Sequence, residues 1–521
     1  MTHLCVPIFV NDLAQARRDI ATAAEAGADM VEIRIDGFDA DPTDLISKTA
    51  VPTVVTCRAA YEGGREGEQS DDSDQDRFDR LTNVAGSASY IDIELEAIDG
   101  AMPKRPTDSL GPRLIVSSHD FQGRPDNLYN ILERLNQSFS TVNKIVWTAR
   151  SIRDNIEAFE ILQSRQKPTI ALCMGEAGLL SRVLAKKFGA FLTFASLSSE
   201  TGTAPGQVTI HDFKRLYRWD AIGPETKVYG VVACPIAHSM SPAIHNAAFD
   251  KTGEDGVYLP MLVQPGYESF KAFMEEFTNF KPLHLRGLSV TIPHKENALK
   301  YLQEKGARIE PLAVTIGAVN TIIIDRDSDG NPILRGINTD YQAIIETICA
   351  PLGIQQEQLA DYRVAVIGAG GTGRTAVAAL AQLGATVVVY NRTKERADAL
   401  AAEFNNKVGR VVSARMEKLC DSCCHIYINT TSVGMHPKID ESPLGDRTPN
   451  FTSDTLVFDT IYNPPLTRLL QQAQQAGAKI VGGIEMFVRQ AAAQFVAWTD
   501  KPAPAEIMRA VVEQRLKNQI K

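Results

Sequence analysis

The stretch DYRVAVIGAGGTGRTAVAALAQLGATVVVYNRT, residues 361–393, carries the most legible pattern in the chain. An apolar run, RVAVI, enters a glycine turn. An alanine-rich segment follows, and then a second β-rich run, TVVVY. Gly368, Gly370 and Gly373 stand at G-x-G-x-x-G spacing between the strand and the helix. That spacing alone is weak. With both flanks in place it predicts a dinucleotide site over Gly368, Ala369, Gly370, Gly371, Thr372 and Gly373. The glycines let the backbone approach a pyrophosphate, and the helix start offers its free N–H groups to it. An NAD site usually carries an acid at the end of the second strand, but this chain has Asn391, Arg392 and Thr393 there. An acid would repel a 2′-phosphate and Arg392 would pair with it, so the expected cofactor is NADP. The competing reading makes Arg392 a plain surface charge.

Towards the N-terminus the pattern changes. KVYGVVAC, VYLPMLV, GLSVTIP, AVNTIIID and NPILRGINTD alternate with helical segments up to about residue 340, as in a compact α/β substrate domain. A break with Gly223 and Pro224 puts a boundary near residues 221–227. Before it lie eight short apolar runs: LCVPIFV, MVEIRID, PTVVTC, YIDIEL, PRLIVSSHD, NKIVWTA, TIALCMG and FLTFAS. Amphipathic segments separate them, such as DLAQARRDIATAAEAGA with its glycine stop. Eight β-then-α units in about 220 residues predict a TIM barrel near its minimum length, with an open doubly wound sheet as the alternative.

Polar residues gather near the ends of the predicted barrel strands: Glu32 and Arg34, Arg58 with Glu62, and His119. Active sites of such barrels lie at those ends, and converging arginines suit a substrate carboxylate. Lys144 is different. It stands early in its strand, leading into Ile145, Val146 and Trp147, and so is expected deep in the barrel. Depth and nearby arginines would favour a neutral amine, which can attack a ketone to form a Schiff base. His119 is then the proton shuttle. The bland alternative is a lysine whose stem packs while its amine pairs with Glu32 or another acid.

Composition sets outer bounds. A net charge of −9 argues against broad nucleic-acid binding and against an anionic membrane surface. No apolar run approaches the roughly 20 residues of a membrane span. The 8 cysteines follow no secretory leader, and MTHLCVPIFV lacks a basic start, so a reducing cytoplasmic compartment is expected. Cys420, Cys423, Cys424 and His425 raise the question of a metal. No second ligand pair lies at finger-like spacing, and no metal is expected.

The motifs then converge on a resemblance. VEIRID, TCRAAYEGG, SSHDF, NKIVWTA, MGEAGLLSR and TAPGQ occur in the order of type I 3-dehydroquinate dehydratases, which the first half resembles. The second half resembles shikimate dehydrogenase, through CPIAHSMSPAIHN, SVTIPHKEN, GAVNT, NTD, GAGGTGR, NRT, TSVGM and GIEMFVRQAAAQF. The arrangement is similar to the fused dehydratase–dehydrogenases of plants.

The resemblance implies an α/β chain: a dehydratase TIM barrel over 1–222, a substrate-binding domain over 227–338, a Rossmann NADP domain over 339–480, and helices over 481–521 that return to the substrate domain. It implies Lys144 as the Schiff-base lysine, His119 as general acid/base and Glu62 as its supporting carboxylate. Glu32, Arg34, Arg58, Arg182, Thr203 and Gln207 fall at substrate positions, Arg182 holding the carboxylate. Thr203 departs from the family's serine, and the segment between Phe194 and Thr203 is slightly long. In the second half Lys295 and Asp340 match the catalytic pair, and Ser239 and Ser241 the hydroxyls that bind the substrate carboxylate. Thr291, Asn320, Tyr462 and Gln490 match contacts to the ring and its hydroxyls, and Thr460 and Gly483 contacts near the nicotinamide. The implied function is dehydration of 3-dehydroquinate followed by NADPH-dependent reduction to shikimate. A quinate-side or catabolic dehydrogenase and a non-enzymatic regulator are the alternatives. The presence of Lys144, His119, Lys295 and Asp340 counts against the regulator.

Overall fold

A computed structural model describes residues 1–65, 74–100, 113–198, 207–237, 239–408 and 410–519. Thr203 and residues 199–202 before it lie outside those residues. The chain packs as two compact units. One is residues 1–227 with the short pieces 255–263 and 282–284; the other holds the remainder.

In the first unit the eight apolar runs become eight strands: β1 (His3–Phe9), β2 (Met30–Arg34), β3 (Thr53–Thr56), β4 (Tyr90–Glu94), β5 (Leu114–Asp120), β6 (Val142–Thr148), β7 (Thr169–Met174) and β8 (Leu192–Phe194). They lie in the order β7-β6-β5-β4-β3-β2-β1-β8, so β1 pairs in parallel with both β2 and β8. That is the neighbour order of a nearly closed barrel; an open doubly wound sheet would reverse direction somewhere in its strand order. Helices cover the outer face and side chains fill the inside, which is why the strands read as near-continuous apolar runs. Asp12 caps the helix Leu13–Glu25 by accepting from the Gln15 N–H at 2.8 Å, and Gly27, at φ +91°, turns the chain away beyond it.

Two further sheets follow β8 in the chain, and apart from Gly256–Leu262 and Lys227 their strands belong to the second unit. The first comprises β9 (Lys227–Ala233), β10 (Gly256–Leu262), β11 (Leu285–Val290), β12 (Arg308–Ile309), β13 (Thr321–Arg326) and β14 (Pro332–Ile337), in the order β10-β9-β11-β13-β14-β12. It is mixed: β11 runs parallel to β9 and antiparallel to β13. The second comprises β15 (Arg363–Ile367), β16 (Thr386–Tyr390), β17 (Val411–Ala414), β18 (Ile426–Asn429), β19 (Leu456–Asp459) and β20 (Lys479–Val481). All of its pairings are parallel, in the order β17-β16-β15-β18-β19-β20. Counted from β15 that is 3-2-1-4-5-6, the doubly wound dinucleotide-binding order, with its crevice beyond the carboxyl end of β15. The helix Gly483–Thr499 then packs back on the mixed sheet: Trp498 donates to the Ile322 carbonyl at 3.1 Å, and Gly287 leaves room for its indole, since a Cβ there would lie 2.4 Å from Nε1.

Among the described residues no helix is long and apolar enough to cross a membrane, and no group of three or more His, Cys, Asp or Glu could hold a metal. His425 instead accepts the Arg363 N–H at 3.0 Å, joining two strand ends.

Candidate active sites

Alternation along each barrel strand sends every second side chain inward. The inward sets near the carboxyl ends are Glu32 and Arg34, Asp92 and Glu94, Ser117 and His119, and Lys144 and Val146. Of these, Glu32, Arg34, His119, Lys144 and Val146 line a cavity whose wall also includes Arg58, Glu62, Arg182 and Gln207. Lys144 is the third residue of β6 and pairs with Ser117 of β5, one inward layer below His119. It is only 4% exposed.

Its surroundings differ from the sequence expectation in one respect. The amine is not left among arginines. Its Nζ donates to Asp92 Oδ2 at 2.8 Å and lies 3.6 Å from Glu32. The ion-pair alternative therefore holds as geometry, on the same nitrogen that faces the cavity. Arg58 explains the difference. Its guanidinium is buried and occupied, with Asp92 at 2.9 Å, Glu94 at 3.2 Å, Ser117 at 2.7 Å and Glu62 at 3.6 Å. Arg34 is likewise engaged, in a fork with Asp36 at 2.8 and 2.9 Å. Both line the cavity, but their charges are largely met by protein carboxylates. Arg182 differs again. It donates to the Gly175 carbonyl at 2.6 Å, and burial pulls its guanidinium down to about 10, so an arriving anion would be favoured beside it.

His119 Nδ1 meets Glu62 Oε2 at 2.7 Å, which leaves Nε2 for a substrate. Burial, reinforced by the positive charges of Arg58 and Lys144, holds the imidazole well below its ordinary range and hence neutral. Burial also pushes Glu62 up, against the pull of Arg58. A neutral imidazole held by a carboxyl group is prepared to take a proton. Asp92 and Glu94 were not singled out from the sequence. The available signal was two acids at i and i+2 in the otherwise apolar YIDIEL, on one side of a strand buried on both faces.

The second unit holds a cavity lined by Ser239, Ser241, Thr291, Lys295, Asn320, Asp340, Thr372, Thr460, Tyr462, Gly483 and Gln490. Residues far apart in sequence meet there because the loops after β9, β11 and β14 and the helix Gly483–Thr499 all end at it. Lys295 Nζ donates to Asp340 Oδ2 at 2.5 Å, both side chains being over nine-tenths buried. Asn320 donates to Thr339 Oγ1 at 3.0 Å and accepts the Thr339 N–H at 2.9 Å. Ser289 and Gln494, also missed from sequence, hold each other at 2.8 Å, and Gln494 donates onward to Thr321 at 3.0 Å. Tyr462 stacks on Phe487. Gly483 lies so near Thr460 that a Cβ would fall 2.3 Å from its carbonyl oxygen.

The glycine turn can be tested for a dinucleotide directly. A Cβ on Gly373 would lie 2.2 Å from the Gly368 carbonyl and 2.8 Å from Thr430 Oγ1, so strand and helix touch there. Gly370 has nothing within 4 Å and no side chain caps the helix Gly371–Gln382. The opening faces bare backbone N–H groups, which suits a pyrophosphate. Asn391 accepts the Ala369 N–H at 3.2 Å and donates to the Thr393 carbonyl at 2.8 Å, fixing the loop that leaves Arg392 exposed.

Two cavities, each lined by a buried lysine against a carboxylate, give the chain two candidate active sites, one in a barrel and one beside a dinucleotide fold. Family models match in the same order: Type I 3-dehydroquinase over residues 4–224, the shikimate dehydrogenase substrate binding domain over 231–322, shikimate/quinate 5-dehydrogenase over 353–461, and the shikimate 5′-dehydrogenase C-terminal domain over 483–513. The chain is 39% identical to the chloroplastic bifunctional 3-dehydroquinate dehydratase/shikimate dehydrogenase of Arabidopsis thaliana, over 97% of this chain and 83% of that protein. It is 38% identical to the shikimate dehydrogenase (NADP(+)) of Methanosarcina acetivorans, over 56% of this chain and 99% of that one. Among solved structures, shikimate 5-dehydrogenase of Thermus thermophilus, in complex with NADP(H) and shikimate, is 31% identical with a TM-score of 0.46, covering 55% of this chain and 99% of that one. The chain belongs to the bifunctional 3-dehydroquinate dehydratase/shikimate dehydrogenase family.

Proposed function

We propose that the barrel dehydrates 3-dehydroquinate to 3-dehydroshikimate and that the second unit reduces this product to shikimate with NADPH. The proposed division of the chain is the one the resemblance implies: 1–222, 227–338, 339–480 and the returning helices 481–521. What carries the reading is the pair of buried lysines, each at a cavity and each held by a carboxylate.

In the barrel, Arg182 takes the substrate carboxylate, with Gln207 as a further substrate contact. Glu32, Arg34 and Arg58 complete the polar wall. Lys144 attacks the ketone and forms an iminium, which draws electrons from the neighbouring carbon. His119, held by Glu62, removes the proton there and returns it to the departing hydroxyl, which leaves as water. A second water then hydrolyses the iminium and frees the product.

In the second unit, Ser239 and Ser241 hold the substrate carboxylate, and Thr291, Asn320, Tyr462 and Gln490 its ring and hydroxyls. The six residues Gly368–Gly373, with Asn391, Arg392 and Thr393, fit the phosphates of NADP, and Thr460 and Gly483 its nicotinamide end. When bound, NADPH supplies hydride to the ketone carbon. Lys295 donates a proton to the carbonyl oxygen as negative charge develops on it, and Asp340 fixes the direction of that ammonium. The eight free cysteines support work in a reducing cytoplasmic compartment.

The decisive test is covalent. Borohydride added with 3-dehydroquinate should reduce the iminium and leave a stable adduct on Lys144, read by peptide mass spectrometry. An unmodified Lys144 in the active enzyme would reject the Schiff-base mechanism.

A further inference from the structure

Asp92 has no part in the mechanism above, yet it is the closest partner of the reacting nitrogen. It is 1% exposed, and its two oxygens have different tasks. Oδ1 is clamped, by Ser117 Oγ at 2.7 Å and by Arg58 Nη2 at 2.9 Å. Oδ2 faces Lys144 Nζ at 2.8 Å. With one oxygen fixed from two sides, the carboxylate cannot follow the lysine elsewhere, so the amine is held where Asp92 points.

We propose that Asp92 is the counter-ion of the Lys144 nitrogen in both of its charged forms, the ammonium of the resting enzyme and the iminium formed with the substrate. This rests on Lys144 being the Schiff-base lysine.

The atom balance shows why one anion serves both. The ammonium carries three hydrogens. On condensation with a ketone two of them leave with the carbonyl oxygen as water; the third stays on nitrogen, which forms a double bond to the former carbonyl carbon. The charge on nitrogen is +1 before and after. An anion fixed beside it stabilises the product cation without reorientation, which is the economy of a preorganised site. Burial alone would raise the Asp92 carboxyl, but Arg58 and Lys144 hold it well below the usual carboxylate range, so the anion persists.

No other group facing the nitrogen substitutes for it. From β2, Glu32 is farther, at 3.6 Å, and accepts from Thr56 at 2.8 Å. From β4, Glu94 is tied to Arg58 and, at 2.9 Å, to Arg77. From β5, His119 is kept neutral by burial. From β1, burial keeps the Cys5 thiol protonated. On β7 the paired residue is the apolar Ile170, and β8 contributes the Phe194 ring, 4.8 Å from Nζ.

The sign of the effect follows. Removing the anion disfavours the iminium, which then loses its proton at a lower pH. The test is borohydride trapping with 3-dehydroquinate across a pH series, on the full-length chain and its Asp92→Asn variant. The variant should give about ten-fold less Lys144 adduct at alkaline pH, and the pH above which trapping fails should fall by about one unit, since one unit is a tenfold change in the charged fraction. A variant with the wild-type limit would overturn the counter-ion role and leave the Schiff base standing; absence of adduct in the wild type would instead remove the Schiff base itself. If thermal unfolding shows Asp92→Asn to be unfolded, Asp92→Glu carries the test. It keeps the charge but moves it by one methylene, so the alkaline limit should stay at the wild-type value while the yield at each pH drops. A limit lowered by about one unit with the charge still present would overturn the proposal.

Discussion

His119 shows how one side chain's surroundings set a measurable pH dependence. A base must be unprotonated to act, and activity is lost as the pH falls through the folded-state value. Burial and the charges of Arg58 and Lys144 place that value well below 6.5. The acid limb of kcat/KM for dehydration should therefore lie below pH 6.5, with no loss across the ordinary histidine range. A limb centred at 6.5 or above would mean that the imidazole is exposed to water or stabilised as a cation. Stability should follow the same sign. Below pH 6.5 the unfolded chain binds a proton at this position that the folded chain refuses, so the folded state loses ground as the medium becomes more acid. His119→Asn, with nothing to protonate there, should show a shallower acid loss in urea midpoints than the wild type.

At the level of elements, the turn between β15 and its helix separates two uses of glycine that look alike in sequence. Gly373 is needed for packing, because a Cβ would lie 2.2 Å from backbone. Gly373→Ala should destabilise the second unit by about 1–3 kcal/mol, the range of overpacking in a tight site. Gly370 faces open space, and its φ of −88° suits any residue. Gly370→Ala should keep the wild-type Tm but raise the KM for NADPH by about ten-fold, since the added methyl stands where the backbone would approach a phosphate. Equal effects of the two on Tm would contradict the distinction. The same turn shows what a sequence can reveal. Glycine spacing and flanking apolar runs are local, so β15, β16 and the helix between them were readable, as were the eight barrel strands. β12 was not, because Arg308 and Ile309 are too few to show a period of two. Nor could Arg58 be seen as occupied. Its partners come from β4, from β5 and from the turn after β3, and only folding brings four polar groups onto one guanidinium. The lysine's depth was legible from its apolar neighbours, and the acid facing it was not.

Across the whole chain, the two cavities draw on separate residues: every lining residue of the first lies within 1–227, and every lining residue of the second within the other compact unit. Neither site borrows a side chain from the other, so each should survive loss of the other's lysine. Lys295→Ala should lower ketone reduction by about 10²–10⁴-fold, the range of a lost general acid. Dehydration by the same variant should stay within about two-fold of wild type, as expected for sites that share no lining residue. Lys144→Ala should give the mirror image. Mixed in equal amounts with 3-dehydroquinate and NADPH, the two variants should together restore oxidation of NADPH, because the first releases 3-dehydroshikimate and the second can take it up. The rate of the mixture, compared with wild type at equal site concentration, then measures how much product passes through bulk solution. If either single variant lost both activities, the sites would be coupled through the fold, and the separation seen in their linings would not describe how the enzyme works.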